Sequence, residues 1–240
     1  GFQETSKKLN LLNATEYALL LNESYANGGQ PVPYPSVGGL GTGTNWQREV
    51  FGSAVPVFNH DLSVSGGSEK ITYAVGGSHL YQQGIVGGDK ADFRRSSAHL
   101  AFAADLTDKL KLQSNIFYTY SNRDALNENG LGSVLFNAIN AHPTMPIRDA
   151  NGNYSLIPSE TGYGNETINP LAQIENTYND FTGRTLIGNF QLDYNLLKGL
   201  DFTSRIGFKS WDGSSKTFAK QVDYGSGKVF NNGRSYVSEN

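Results

Sequence analysis

From residue 60 onward the hydrophobic positions recur at every second residue. In "NHDLSVSGGSEKITYAVGGSHLYQQGIV" (59–86), Leu62, Val64, Ile71, Tyr73 and Val75 fall on one side, and Ser63, Ser65, Thr72, Ala74 and Ser78 on the other. This alternation predicts two half-buried strands joined by a tight turn at "GGSE". "FRRSSAHLAFAADL" (93–106) sets Ala98, Leu100, Phe102, Ala104 and Leu106 against Arg95, Ser97, His99 and Asp105. "LKLQSNIFYTYSN" (110–122) sets Leu110, Leu112, Ile116, Tyr118 and Tyr120 against Lys111, Gln113, Asn115 and Thr119. "TLIGNFQLDYN" and "LDFTSRIGFKSW" repeat the theme. There Leu186, Phe190, Leu192, Leu200, Phe202, Ile206 and Phe208 oppose Asn189, Gln191, Asp193, Asp201, Arg205 and Lys209.

Elsewhere the period differs. Residues 13–27 read as a helix: Asn13 is the N-cap, Glu16 completes a capping box, Leu12 can staple onto Tyr17, and "NGG" supplies the stop. Tyr17, Leu20, Leu21 and Tyr25 form its expected apolar face. The Pro- and Gly-rich run that follows cannot be regular structure. A second helical face, Val134, Leu135, Ala138 and Ile139, lies within 131–140 and ends before Pro143. "RDANGNYSL" predicts a turn around Asn151 and Gly152.

The connections alternate in length. "GGSE", "TDK" and "NLLKG" are tight, whereas 83–92 and above all 123–182 are long. In an antiparallel meander this places the short turns at one end and the long loops at the other. The expected fold is all-β: an antiparallel up-and-down meander of long strands, part of a transmembrane β-barrel, with short helices in the long loops. The rival is a soluble, secreted β-sandwich that binds carbohydrate, because alternation reads the same turned inside out. Three features favour the barrel. The patterned runs exceed the usual strand of about 5 or 6 residues, the long loops lie at one end, and Tyr81, Phe93, Tyr118, Tyr120 and Trp211 gather toward that end like an interfacial girdle.

Composition narrows the partners. Hydrophobic residues make up 38% and charged residues 17%, with 28 glycines, which suits strands and loops better than a helical core. A net charge of −3 offers no footprint for nucleic acid. The absence of cysteine excludes disulfides and thiolate chemistry. No run reaches the roughly 18 apolar residues of a membrane helix, which leaves a β-barrel open.

"KKLNLLNATEYALLLNE", "GTNWQREVF", "HDLSVSGGSEKITYAVGGSHLYQQGIV", "HPTMPIRDANGNY", "NPLAQIE" and "LIGNFQLDYNLLKGLDFTSRIGF" resemble, in that order, the early barrel of SusC/RagA-type TonB-dependent outer-membrane transporters of Bacteroidetes. The resemblance implies a barrel of about 22 strands with a plugged lumen. It implies import of glycan oligomers or peptides with a SusD-like lipoprotein and TonB as partners, in the cell outer membrane against its lipid. On that pattern the whole chain, 1–240, is part of one barrel domain. Residues 1–59 are a truncated first strand plus a helix-containing loop, 60–122 four strands, 123–182 a long extracellular loop, and 183–240 two strands plus a loop. The plug and later strands are expected to lie outside this sequence. Alone it would transport nothing, and its edges or apolar face would invite self-association.

Candidate chemistry is sparse, and neither an enzyme nor a cofactor is expected. Gly66, Gly67 and Ser68 read as a turn rather than an anion nest. "GSGK" at 225–228 lacks the spacing and the Ser or Thr of a phosphate loop. Asp149, Asn151, Asn153 and Glu160 have calcium-loop spacing, but Tyr154 takes the glycine position. His60, His79, His99 and His142 show no ligand spacing, so no metal is expected, and no G-x-S-x-G elbow anchors a triad. Arg95, Lys111, Asn189, Arg205 and Lys209 are the expected lumen-facing residues. Tyr154, Tyr163 and Tyr178, with Phe181, are the loop aromatics that could stack on a ligand.

Overall fold

The computed structural model describes residues 1–127, 130–155, 167–223, 229–230 and 235–239. Its centre is an eight-stranded antiparallel meander ordered β1-β2-β3-β4-β5-β6-β7-β10. Two of these strands, β1 (Phe2–Gln3) and β10 (Ser235–Glu239), are short; both lie at its margins. Between them run β2 (Val55–Gly67), β3 (Ile71–Gln83), β4 (Asp92–Thr107), β5 (Leu110–Asp124), β6 (Thr177–Leu197) and β7 (Leu200–Ala219). A separate pair, β8 (Val222–Asp223) and β9 (Val229–Phe230), lies beyond β7. The strands reach 21 residues in β6 and 20 in β7, far longer than a sandwich strand requires.

Register converts the alternation into rows that run across the sheet, because directly opposed residues share a face. One row is Val64, Val75, Leu100, Ile116, Gly188 and Phe208; the next is Gly66, Tyr73, Phe102, Ser114, Phe190 and Ile206. The hydrophobic positions of β2–β7 therefore merge into one apolar face. Among the described residues no element packs over its centre: Leu62 is 76% exposed and Ile206 is 68% exposed. The apolar stretches Ala98–Leu106 on β4 and Leu186–Tyr194 on β6 match the roughly 9–11 residues with which a tilted strand crosses a bilayer.

Three short turns close one end. Ser68 N–H donates to the Ile71 carbonyl (2.7 Å), and the Ser68 hydroxyl accepts from Lys70 N–H, so the "GGS" run is a hairpin turn. The helices all lie in the long connections at the other end. They are α1 (Ala14–Asn27) and α2 (Trp46–Val50) between β1 and β2, and α3 (Val134–Asn140) and α4 (Pro170–Asn176) between β5 and β6. Each begins on a side chain that accepts a backbone N–H: Asn13, Asn45, Ser133 and Asn169. Asn13 forms the expected capping box with Glu16.

The long connections build a compact cap with a core of its own. Trp46 and Val50 from α2, Val86 and Ala91 from the β3–β4 connection, and Leu126, Val134, Ala138, Met145, Ile168 and Ala172 from the β5–β6 connection pack together. The Trp46 indole N–H donates to the His142 carbonyl (2.9 Å), and the Thr44 hydroxyl donates to that of Met145 (2.7 Å). The buried Asn137 amide donates to Gln173 Oε1 (2.7 Å) and accepts from Ile168 N–H (3.1 Å). Asn169 caps α4 and also donates to the Ile147 carbonyl (3.0 Å). These bonds satisfy polar groups that burial would otherwise penalise.

The apolar face expected of α1 is corrected in one respect. Leu20 is exposed, and the fully buried positions are Ala14 and Ala18. The helix start is pressed onto the loop before α2, where Ala14 N–H donates to the Thr42 carbonyl. Gly43 has φ +62°, and a Cβ there would come within 2.5 Å of the Ala14 Cβ and closer still to the Pro143 carbonyl. Small residues are needed on both sides of that contact.

Candidate functional site

The second face of the sheet is polar, and it gathers the charged residues singled out above. Arg95, Lys111, Asn189, Arg205 and Lys209 all occupy alternate positions of the same parity once the register is applied. Arg95 borders a groove of about 410 Å³ with Asp61, Ser63, Ser78, Ser97, His99 and Thr119. The His99 ring lies flat across the sheet over Gly76, where an added Cβ would come within 2.2 Å of it. Gly76 thus makes room for His99 on the polar face.

Lower on this face, toward the short turns, Asp193 organises a network that the sequence did not single out. Its carboxylate accepts from Gln113 (2.8 Å), Thr203 (2.7 Å) and Gln191 (2.9 Å), with Lys111 directly opposite in register. Gln191 in turn accepts from the Arg205 guanidinium (2.9 Å). Of these residues, Lys111, Asp193 and Thr203 line the wall of a recess of about 610 Å³ with Glu69, Lys70, Asp105 and Asp201. Period-two spacing places Lys111, Gln113, Gln191, Asp193, Thr203 and Arg205 on one face; only register shows that Gln113, Asp193 and Thr203 are cross-strand neighbours. A row of hydrogen-bonded side chains facing solvent can bind polar ligands and hold water, but it contains no nucleophile aligned with a base.

The loop aromatics separate. Tyr154 belongs to the cap: its hydroxyl donates to Glu175 (2.6 Å), and the Arg148 guanidinium lies 4.0 Å from its ring centre. Burial, the Glu175 bond and the Glu175 charge push its phenol above the ordinary value. Tyr178 and Phe181 stand on β6, because its ladder with β5 and β7 continues upward past the expected strand start. Tyr178 is exposed, with the Lys90 ammonium 3.6 Å from its ring centre. Tyr163 lies outside the described residues, as do Glu160 and the "GSGK" run.

Asp149 is spent on its own turn. One carboxylate oxygen accepts from Asn151 N–H (2.8 Å) and Asn153 N–H (2.9 Å), an arrangement that makes a polar turn rather than an ion cradle. Among the described residues, no group of three or more His, Cys, Asp or Glu side chains is placed to hold a metal ion.

The aromatic girdle is partly corrected by register. Tyr81, Tyr118 and Tyr120 lie on the apolar face with Phe58, whose ring centre is 5.1 Å from that of Tyr81. Phe93 and Trp211 have the opposite parity and face the polar side. Both are near the loop end, but nearness along a strand does not decide which face a side chain takes.

Comparison with known proteins agrees with this architecture. No family model matches the chain. TonB-dependent receptor P26 of Formosa agariphila is 30% identical over 187 residues, covering 77% of this chain and 18% of that protein. TonB-dependent receptor P3 of the same organism is 26% identical over 219 residues, covering 88% of this chain and 20% of that protein. The chain belongs to the TonB-dependent receptors. The RagAB peptide importer in its closed-closed state superposes with a TM-score of 0.71 over 94% of this chain and 28% of that one, at 18% identity. Its open-open state gives 0.60 over 92% of this chain and 25% of that one, at 19% identity. The RagA-type barrel fold therefore extends over nearly all of this receptor chain, which spans about a fifth of the length of its curated relatives. Those relatives are receptors rather than enzymes, in a family of outer-membrane proteins.

Proposed function

We propose that this chain forms the early wall of an outer-membrane importer for oligomeric nutrients, peptides or glycan oligomers. The observation that carries this reading is the continuous, uncovered apolar face of β2–β7, backed by a hydrogen-bonded polar face. In water such a face is a liability; against lipid it is what a barrel wall requires. The polar face then lines the lumen, where Arg95, Lys111, Asn189, Arg205 and Lys209 meet the plug or the passing substrate. The capped end is extracellular, and the short turns are periplasmic.

In the intact receptor a SusD-like lipoprotein traps ligand against the loops, and TonB supplies the energy for release into the lumen. Tyr154, Tyr163 and Tyr178 are the candidate ligand-stacking rings, with Tyr178 the more exposed of the two described. The chain by itself transports nothing, because an open sheet encloses no lumen. Similarity to a peptide importer supports peptides as the first class to test.

The test is growth of a deletion strain on defined peptides or oligosaccharides as the sole nutrient. Loss of growth on one class, restored by the intact receptor, identifies the substrate. Unchanged growth and uptake on both classes would refute the importer reading.

A further inference from the structure

On the polar face, toward the long loops, two glycines oppose each other: Gly183 on β6 and Gly213 on β7. An aromatic ring leans over each. A Cβ added at Gly183 would come within 3.2 Å of the Phe181 ring, and one at Gly213 within 2.6 Å of the Trp211 ring. With no side chain beneath them, the two rings lie low against the sheet from opposite ends of the glycine pair. Trp211 is 50% exposed, so its ring surface is open. Two arginines flank this platform. Arg123, opposite Phe181, has its guanidinium 5.7 Å from that ring centre, and Arg95 shares the row of Gly183 through Ser121. Both are exposed, and among the described residues neither pairs with a carboxylate. Across β2–β7 the three polar-face rows that hold these residues contain one carboxylate, Asp61 on β2, which accepts from the Asn59 amide. Asp92, Asp124 and Asp180 have the opposite parity; there Asp92 pairs with Arg94, and Asp180 accepts from Asn122 (3.1 Å).

We propose that this platform is a subsite for an acidic oligosaccharide, with a sugar ring on Phe181 and Trp211 and its carboxylate on Arg123 and Arg95. The inference rests on the reading that the polar face lines the lumen of an importer, and it names the substrate class. A guanidinium offers a planar fork of N–H donors that matches a carboxylate, and both forks here are unspent. Asp92 and Asp124 border the recess of about 510 Å³ above Arg123, so the anion belongs below it, on the side of Arg95. The platform favours a sugar over a peptide. An extended peptide is held through main-chain hydrogen bonds, and the β6–β7 backbone beneath the rings is already paired in its ladder. A saturated sugar ring needs a flat apolar surface, where the negative face of an aromatic ring attracts its C–H groups. The RagAB peptide importer shares the fold at 18% identity, which does not carry these side chains over.

The experiment uses the intact receptor in neutral detergent and three probes: a hexamer of galacturonic acid, the same hexamer with its carboxylates reduced to alcohols, and hexaglutamate. Titration calorimetry gives each affinity. The wild type is expected to bind the acidic hexamer about tenfold or more tightly than the reduced one, the scale of one charge-assisted contact. The double variant R95Q/R123Q should lose that advantage, binding the two hexamers alike, and its grip on the reduced hexamer shows that the wall is folded. W211A should weaken both hexamers by about threefold or more, because it removes the ring beneath the sugar. Wild-type binding of neither hexamer, or of both alike, would overturn the proposal, as would an acidic advantage that survives R95Q/R123Q or a W211A variant that binds as wild type. Hexaglutamate bound as tightly as the acidic hexamer, with the same dependence on the arginines, would overturn the sugar assignment. Growth separates the two readings. A receptor that fails these tests yet sustains growth on peptides is an importer without this subsite, whereas one that takes up neither class refutes the importer reading itself.

Discussion

The cap and the sheet are built from the same residue types and treat water in opposite ways. In the cap, Trp46, Val134 and Ile168 are at most 2% exposed, and the Trp46 indole and the Asn137 amide are hydrogen-bonded inside. In the sheet, Leu62, Val64 and Ile206 point outward with at least 60% exposure, and the polar residues hold the other face. The cap is organised like the inside of a soluble protein, the sheet like one seen from the wrong side. On the proposed reading, the cap meets water and the apolar face of the sheet meets lipid.

Breaking the cap should have the largest effect. Trp46→Ala removes a buried indole and its bond to His142, and is expected to cost the cap about 3–5 kcal/mol. Hydrogen exchange should show α1–α4 opening while β4–β6 stay protected. If the strands open equally, the two regions are one cooperative unit. Next, Ile116→Arg places a charge in a central row of the apolar face, at an expected cost of about 2–4 kcal/mol in a bilayer. Comparing insertion of the intact receptor into lipid with its stability in mild detergent checks this. A cost independent of the bilayer would mean the face is not lipid-exposed.

Asn137→Ala should weaken the cap by about 1–3 kcal/mol, since Ile168 N–H and Gln173 Oε1 lose their partner in a dry setting. Cap melting measured by near-ultraviolet circular dichroism reads this directly. Acid should act on the cap through His142. Burial holds its imidazole below the ordinary value of about 6.5. The unfolded state therefore binds the proton more readily than the folded one. The contribution is complete above that pH and is lost as pH falls through it toward the folded value. His142→Gln should flatten this acid limb. The smallest effect belongs to Val64→Ala, on the uncovered face, expected to change stability in detergent by less than about 0.5 kcal/mol. A larger loss would show that something covers that face.

Much of this was legible from spacing. The two faces of β2–β7, the helix at Asn13, the helix before Pro143 and the side shared by Arg95, Lys111, Asn189, Arg205 and Lys209 all follow from local periods of two or 3.6. The short helices α2 and α4 were missed, although Asn45 and the pair Asn169–Pro170 are good start signals. With only a few residues each, they show no period of their own. The position of Tyr178 on β6 rather than in the loop was hidden for a related reason. Ladder bonds to both neighbours carry the strand past the end of its hydrophobic alternation.

The sequence by itself determined which side chains alternate, where the helices can start, and that one face of every long strand is apolar. Those properties are local, set by dihedral angles and side-chain direction over a few residues. Only the tertiary structure decided that Asp193 meets Gln113 and Thr203, that Phe93 and Trp211 face away from the girdle, and that three distant connections share one core. Each of these depends on register or on contacts between segments far apart in the chain. A shift of one residue would reverse every facing while leaving the local pattern unchanged.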